Sequence, residues 1–151
     1  DYLALTDKCY WNYVRVYAPG DSILQASSSH SVPGESLLNG RAWEGAAQTV
    51  AEQPGLTTFA NFFLLPWGSE VSAMFQYQLP AGVTQTENGE TIYRLTVYKQ
   101  PGTRPEQLTL AILLPSGATL LDSSLPVTEM EGRLIMNTTL ESNLQITLRY
   151  R

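Results

Sequence analysis

Glu70-Val71-Ser72-Ala73-Met74-Phe75-Gln76-Tyr77-Gln78-Leu79 is the stretch whose reading decides the fold class. Val71, Ala73, Phe75, Tyr77 and Leu79 are apolar and alternate with Glu70, Ser72, Gln76 and Gln78, with Met74 the exception. A period of two places successive side chains on opposite faces of a strand, so one face packs and the other meets water. The pattern recurs outward from this stretch. Tyr93, Leu95 and Val97 repeat it, as do Leu108, Leu110, Ile112 and Leu114, and so do Leu144, Ile146, Leu148 and Tyr150. Val14 and Val16 alternate with Tyr13, Arg15 and Tyr17. Phe59 and the run Phe62-Phe63-Leu64-Leu65 are nearly continuous, which suits a central strand covered on both faces.

Turn chemistry separates these segments. Pro-Gly occurs at Pro19-Gly20, Pro33-Gly34, Pro54-Gly55 and Pro101-Gly102, where proline presets the second turn position and glycine accepts the positive φ of the third, predicting type II turns. Pro66-Trp67-Gly68, Pro80-Ala81-Gly82 and Pro115-Ser116-Gly117 predict type I turns, and Asn88-Gly89 is a hairpin dipeptide. The expected strands are 10–18, 22–27, 47–52, 56–65, 69–79, 91–99, 107–114, 118–121, 133–139 and 143–150. Trp43, Ala46, Ala47, Val50 and Ala51 also fall at helical spacing, but Gly45 weakens a helix and Gln53-Pro54-Gly55-Leu56 favours a hairpin. The expected fold is all-β: a two-sheet sandwich of about 9–10 antiparallel strands, immunoglobulin-like in character, with little helix.

The chain has 151 residues, 43% hydrophobic and 15% charged, enough for one domain spanning 1–151. It carries 14 acidic against 9 basic residues, so it lacks the basic footprint that nucleic acid requires. No run approaches the length of a membrane-spanning helix, and Asp1 to Tyr10 does not read as a signal peptide. A long polar insertion is expected around 28–55, beginning with a Ser-rich stretch from Ser28 to Arg41 that has no clear period. A weak internal repeat relates 12–80 to 93–151: Val16–Ser27 aligns without gaps to Ile112–Ser123, and Ser69–Tyr77 to Ser142–Tyr150. Convergence of strand-turn-strand sequences explains these matches as well as duplication does.

The chemistry is sparse. Cys9 has no partner for an internal disulfide and reads as a small buried hydrophobe, with an intermolecular disulfide or a reactive thiol as the alternative, and His30 is the only imidazole, so no Cys/His metal cluster can form. His30 reads as a solvent-exposed loop residue, with no Gly-x-Ser-x-Gly elbow to partner it. Glu44, Glu70, Glu129 and Glu131 could in principle supply paired carboxylates, but scattered surface charge is the simpler reading. No catalytic, cofactor-binding or metal-ligating residue is assigned, and no cofactor is expected. Aromatics are the positive feature: Trp43 beside the long loop, Trp67 inside a turn and Tyr98 at a strand end are the candidate contacts for a protein or glycan partner. Asn137-Thr138-Thr139 matches a glycosylation sequon inside an expected strand. Lys99 follows the inward series of Tyr93, Leu95 and Val97, which raises a covalent Lys–Asn bond against the ordinary strand-end lysine that reaches solvent.

Asp1-Tyr2-Leu3-Ala4-Leu5-Thr6-Asp7, with Cys9-Tyr10-Trp11-Asn12-Tyr13-Val14-Arg15-Val16-Tyr17-Ala18-Pro19-Gly20, resembles the C-terminal part of a bacterial family catalogued as domain of unknown function 4012. Phe59-Ala60-Asn61-Phe62-Phe63, Phe75–Pro80 and Tyr93–Thr103, ending in Lys99-Gln100-Pro101-Gly102-Thr103, resemble later segments of that region in the same order. The resemblance implies an extracytoplasmic, cell-surface location on a membrane-anchored parent protein, with this domain itself soluble. It implies no activity and no catalytic residues. The expected role is therefore a non-enzymatic structural or protein-interaction domain, with a carbohydrate-binding module using exposed aromatics as the alternative. Asp1 falls in the middle of family-like sequence, so a preceding strand is expected and one sheet edge would be open without it.

Overall fold

In the computed structural model of the chain, which describes residues 9–50 and 53–151, strands account for 54% of the structure and helix for 2%. The protein is all-β, with twelve strands among the described residues, all paired antiparallel in four sheets. The chain divides into two compact units, Asp1–Pro80 and Ala81–Arg151, where the sequence reading placed one domain over 1–151. The side chain of Cys9 and the last two residues of the strand expected over 47–52 lie outside the described residues.

The first unit contains β1 (Cys9–Pro19), β2 (Ile23–Ser27), β3 (Gln48–Val50), β4 (Leu56–Pro66) and β5 (Phe75–Gln78). β4 lies between β1 and β3, and β2 pairs with β5. Its central place explains the continuous apolar run: Thr58, Phe59, Ala60 and Asn61 are all buried, so both faces of β4 are covered. Phe59 packs towards β5, with its ring 5.2 Å from Tyr77. The β3–β4 hairpin prevails over the helical alternative. Leu56 N–H donates to the Gln53 carbonyl at 3.3 Å, and Gly55 takes φ +76°, as a type II turn requires.

The second unit contains β6 (Thr84–Glu87), β7 (Glu90–Val97), β8 (Glu106–Ile112), β9 (Leu120–Ser123), β10 (Thr128–Met130), β11 (Arg133–Leu140) and β12 (Leu144–Tyr150). One sheet runs β10-β11-β8 and the other β6-β7-β12-β9. Met136 from the first and Ile146 and Leu148 from the second are fully buried, with Leu95, Leu110, Ile112 and Leu120 packed around them. This is the sandwich core that one-sided alternation predicts.

Two strands, β6 and β10, escape the sequence pattern because every residue in both is exposed, leaving no apolar face to read. Asn88-Gly89 does make its hairpin, with φ +53° and +80°, and joins β6 to β7. The Pro-x-Gly expectation is corrected. Gly68, Gly82 and Gly117 sit at the third position with φ between +72° and +91°, which type I does not call for and type II does. At Pro19-Gly20 the positive φ falls one residue later, on Asp21, while Gly20 approaches the backbone of Gly55.

Candidate functional site

Alternation along β1 puts Asn12, Val14, Val16 and Ala18 on the inward side and leaves Trp11, Tyr13, Arg15 and Tyr17 exposed on the other. The outward residues make a continuous row. Trp11, Tyr13 and Tyr17 keep 49%, 51% and 43% of their surface in solvent. The Arg15 guanidinium carbon lies 5.7 Å from the Tyr13 ring centre and 6.0 Å from that of Tyr17, so one cation faces two rings. The neighbouring strand extends the patch, because Tyr13 pairs with Phe62 and the Trp11 and Phe62 rings are 5.6 Å apart. A sheet face of Trp, Tyr, Phe and Arg supplies the side chains that concentrate binding energy at protein interfaces: large, rigid, amphipathic surfaces that lose little rotamer freedom.

The aromatics nominated from sequence are dispersed. Trp67 projects from its turn with 86% exposure, and Tyr98 belongs to the second unit with 76% exposure. Trp43 is half-buried. Its backbone exchanges two hydrogen bonds with Val32, each 2.9 Å, and its indole Nε1 is buried without a partner, so it serves the loop more than a surface. No ring contact joins Trp43 to Trp67 among the described residues.

His30 also departs from expectation. It is not a free loop residue: its ring lies 4.9 Å from that of Phe63, and its Nε2 is buried with no hydrogen-bond partner. The segment from Ser28 to Ala47 folds back on itself around it. Val32 is buried and bridges to Trp43, His30 N–H donates to the Gly45 carbonyl at 3.1 Å, and the Ser29 hydroxyl donates to the Glu44 carbonyl at 2.6 Å. Gly45 permits this crossing, since a Cβ there would sit 1.8 Å from the His30 carbonyl oxygen.

Lys99 has a local role. Its ammonium donates to the Gln100 carbonyl at 3.3 Å and to the Thr103 hydroxyl, while the Asn143 side chain accepts the Lys99 backbone N–H at 3.0 Å. The Thr103 hydroxyl donates to the Gln100 carbonyl at 2.9 Å, so Lys99-Gln100-Pro101-Gly102-Thr103 closes as a self-capped loop. Among the described residues no three His, Cys, Asp or Glu side chains are grouped to hold a metal ion, and no helix is long and apolar enough to cross a membrane. No protein-family model matches the chain, and no curated protein or solved structure matches it either.

Proposed function

We propose that this chain is a non-enzymatic structural or protein-interaction domain, immunoglobulin-like in character, within an extracytoplasmic part of a membrane-anchored bacterial protein. The observation that carries the reading is the outward row of Trp11, Tyr13, Arg15 and Tyr17 on β1, continued by Phe62 on β4. A patch of exposed aromatics of this kind exceeds the scattered apolar residues that any surface carries. The resemblance to the domain of unknown function 4012 family supports the location. The partner is a protein that presents an apolar surface to the rings.

The test compares proteins cross-linked to the purified chain and to its Trp11→Ala/Tyr13→Ala variant in an extracytoplasmic fraction, with Trp67→Ala as control. A defined set retained by the parent and by Trp67→Ala, but lost with the double variant, supports the reading. Equal retention by all three refutes it. A glycan-binding role rests on the exposure of Trp67 and Tyr98. It predicts a saturable change in tryptophan fluorescence with cell-wall fragments or soluble glycans, abolished by Trp67→Ala.

A further inference from the structure

The two units share one hydrogen-bonded plan. β1 pairs with β4 as β8 pairs with β11, β3 lies beside β4 as β10 lies beside β11, and β2 pairs with β5 as β9 pairs with β12. The agreement extends to single residues. Ser22 N–H donates to the Pro19 carbonyl at 3.2 Å, and Ala118 N–H to the Pro115 carbonyl at 3.0 Å. Leu24 faces Tyr77 as Leu120 faces Tyr150, and Ala26 faces Gln76 as Asp122 faces Arg149, so each pair carries a one-residue bulge, at Gln25 and at Leu121. Beyond the bulge, Ser28 N–H donates to the Met74 carbonyl at 3.0 Å and Met74 N–H donates to Ser28 Oγ at 2.5 Å. Ser124 and Thr147 repeat both bonds, at 3.0 and 2.9 Å.

One element breaks the correspondence. β12 has β9 on one side and β7 on the other, while β5 has β2 on one side and, among the described residues, no strand on the other. β7 pairs with β12 from Leu144 to Tyr150, and the shared register carries that edge onto Val71–Tyr77. Because both backbone groups of Met74 turn towards Ser28, those of Ala73 and Phe75 point to the open side. Burial differs accordingly: Ile146 and Leu148 are fully buried, whereas their counterparts Ala73 and Phe75 are exposed and half-buried. The alternating sequence from 69 to 79 forms a strand only over Phe75–Gln78. Val71–Gln78 also holds no charged residue and no proline, the devices that protect a permanently free edge.

We propose that the backbone edge from Val71 to Tyr77 is an acceptor for one added antiparallel strand, donated by polypeptide leading into β1 in the chain order that runs from β7 to β8. The donor carries apolar side chains at alternate positions, as β7 does with Tyr93, Leu95 and Val97, which would stand opposite Phe75, Ala73 and Val71. Main-chain hydrogen bonds supply the attachment and the alternate side chains supply the selectivity.

Hydrogen exchange tests this on the 151-residue chain and on a graft that places a second copy of Thr84–Pro105 directly ahead of Tyr10, the residue corresponding to Glu106. In the graft, the amides of Val71, Ala73, Phe75 and Tyr77 exchange at least about tenfold more slowly, and Tyr93→Pro with Leu95→Pro in the grafted copy removes the protection. A synthetic peptide of Gly89–Lys99 titrated into the parent chain gives the same readout should the graft fail to fold. Protection already present in the parent, independent of concentration and lost on removing residues 1–8, also supports the proposal by placing the donor in those residues. Unchanged exchange at the four amides with both graft and peptide overturns it. So does protection in the parent that rises with concentration alongside a dimer in sedimentation, since a second copy would then cover the edge.

Discussion

Replacing Gly45 by alanine tests whether the Ser28–Ala47 segment is held as tightly as its crossing implies. Gly45 has φ +74°, and an alanine Cβ would overlap the His30 carbonyl oxygen at 1.8 Å. The left-handed conformation costs a non-glycine residue about 1–2 kcal/mol. Relieving the overlap also pulls apart the His30–Gly45 and Ser29–Glu44 hydrogen bonds, at about 1 kcal/mol each. The total is about 3–4 kcal/mol. Gly40→Ala is the matched control, because Gly40 has φ +65° but nothing within 4 Å of its Cβ position, so only the conformational cost of about 1–2 kcal/mol applies. Trp11, Trp43 and Trp67 all lie in the first unit, so fluorescence during urea unfolding reports on that unit. With a slope of about 1–2 kcal/mol per molar urea, the midpoint falls by about 2 M for Gly45→Ala and by about 1 M for Gly40→Ala. Midpoints for the two variants within about 0.3 M of each other would refute the reasoning, because the crossing would then yield without cost.

Other substitutions probe different parts of the molecule. Phe59→Ala, which empties a fully buried position beside Tyr77, is expected to destabilise the first unit by about 3–5 kcal/mol in the same fluorescence assay. Glu131 has φ +50° in the turn before Gly132, so Glu131→Asn should stabilise the second unit by about 0.5–1 kcal/mol, read by thermal unfolding in circular dichroism. Arg149→Met breaks a 2.8 Å pair with Glu90 in which both side chains keep solvent access, and should cost less than about 1 kcal/mol, falling towards zero in high salt. Intact mass should equal that of the unmodified sequence, because the Lys99 ammonium is engaged by Gln100 and Thr103; a mass lower by one ammonia would reveal a covalent bond to an amide side chain.

Strands with one apolar face were readable from the sequence because burial leaves a period of two. β7, β8, β11 and β12 show this, whereas β4 was marked by the nearly continuous apolar run of a strand covered on both faces. β6 and β10 were not readable, since a strand exposed throughout satisfies only its backbone and places no constraint on side-chain polarity. Glu131-Gly132 hid a second hairpin of the Asn88-Gly89 kind because glutamate at positive φ has no sequence signature. β5 is shorter than its alternating sequence because pairing, which sequence does not display, supports only part of it. The aromatic row was half visible. Tyr13, Arg15 and Tyr17 were seen to alternate with Val14 and Val16, yet valine and tyrosine both suit a core, and only Arg15 marked which face turns outward. Trp43 was drawn into the loop by a backbone bridge to Val32 that no local pattern announces.

The 28–47 segment between β2 and β3 also bears on how the protein acquires its structure. In the second unit, tight turns join β6 to β7 and β10 to β11, so two pairings can form within microseconds as local events. In the first unit, β1 cannot find β4, nor β2 find β5, until the whole intervening segment has been made and its ends brought together. That closure costs chain entropy before any sheet contact returns it. The same delay holds for β7, which must wait for β12 across a comparable length of chain, so topology sets the pace in both units. During synthesis the aromatic strand β1 must wait unpaired until β4 has emerged as far as Pro66, and β2 waits longer still, until Phe75–Gln78 follows.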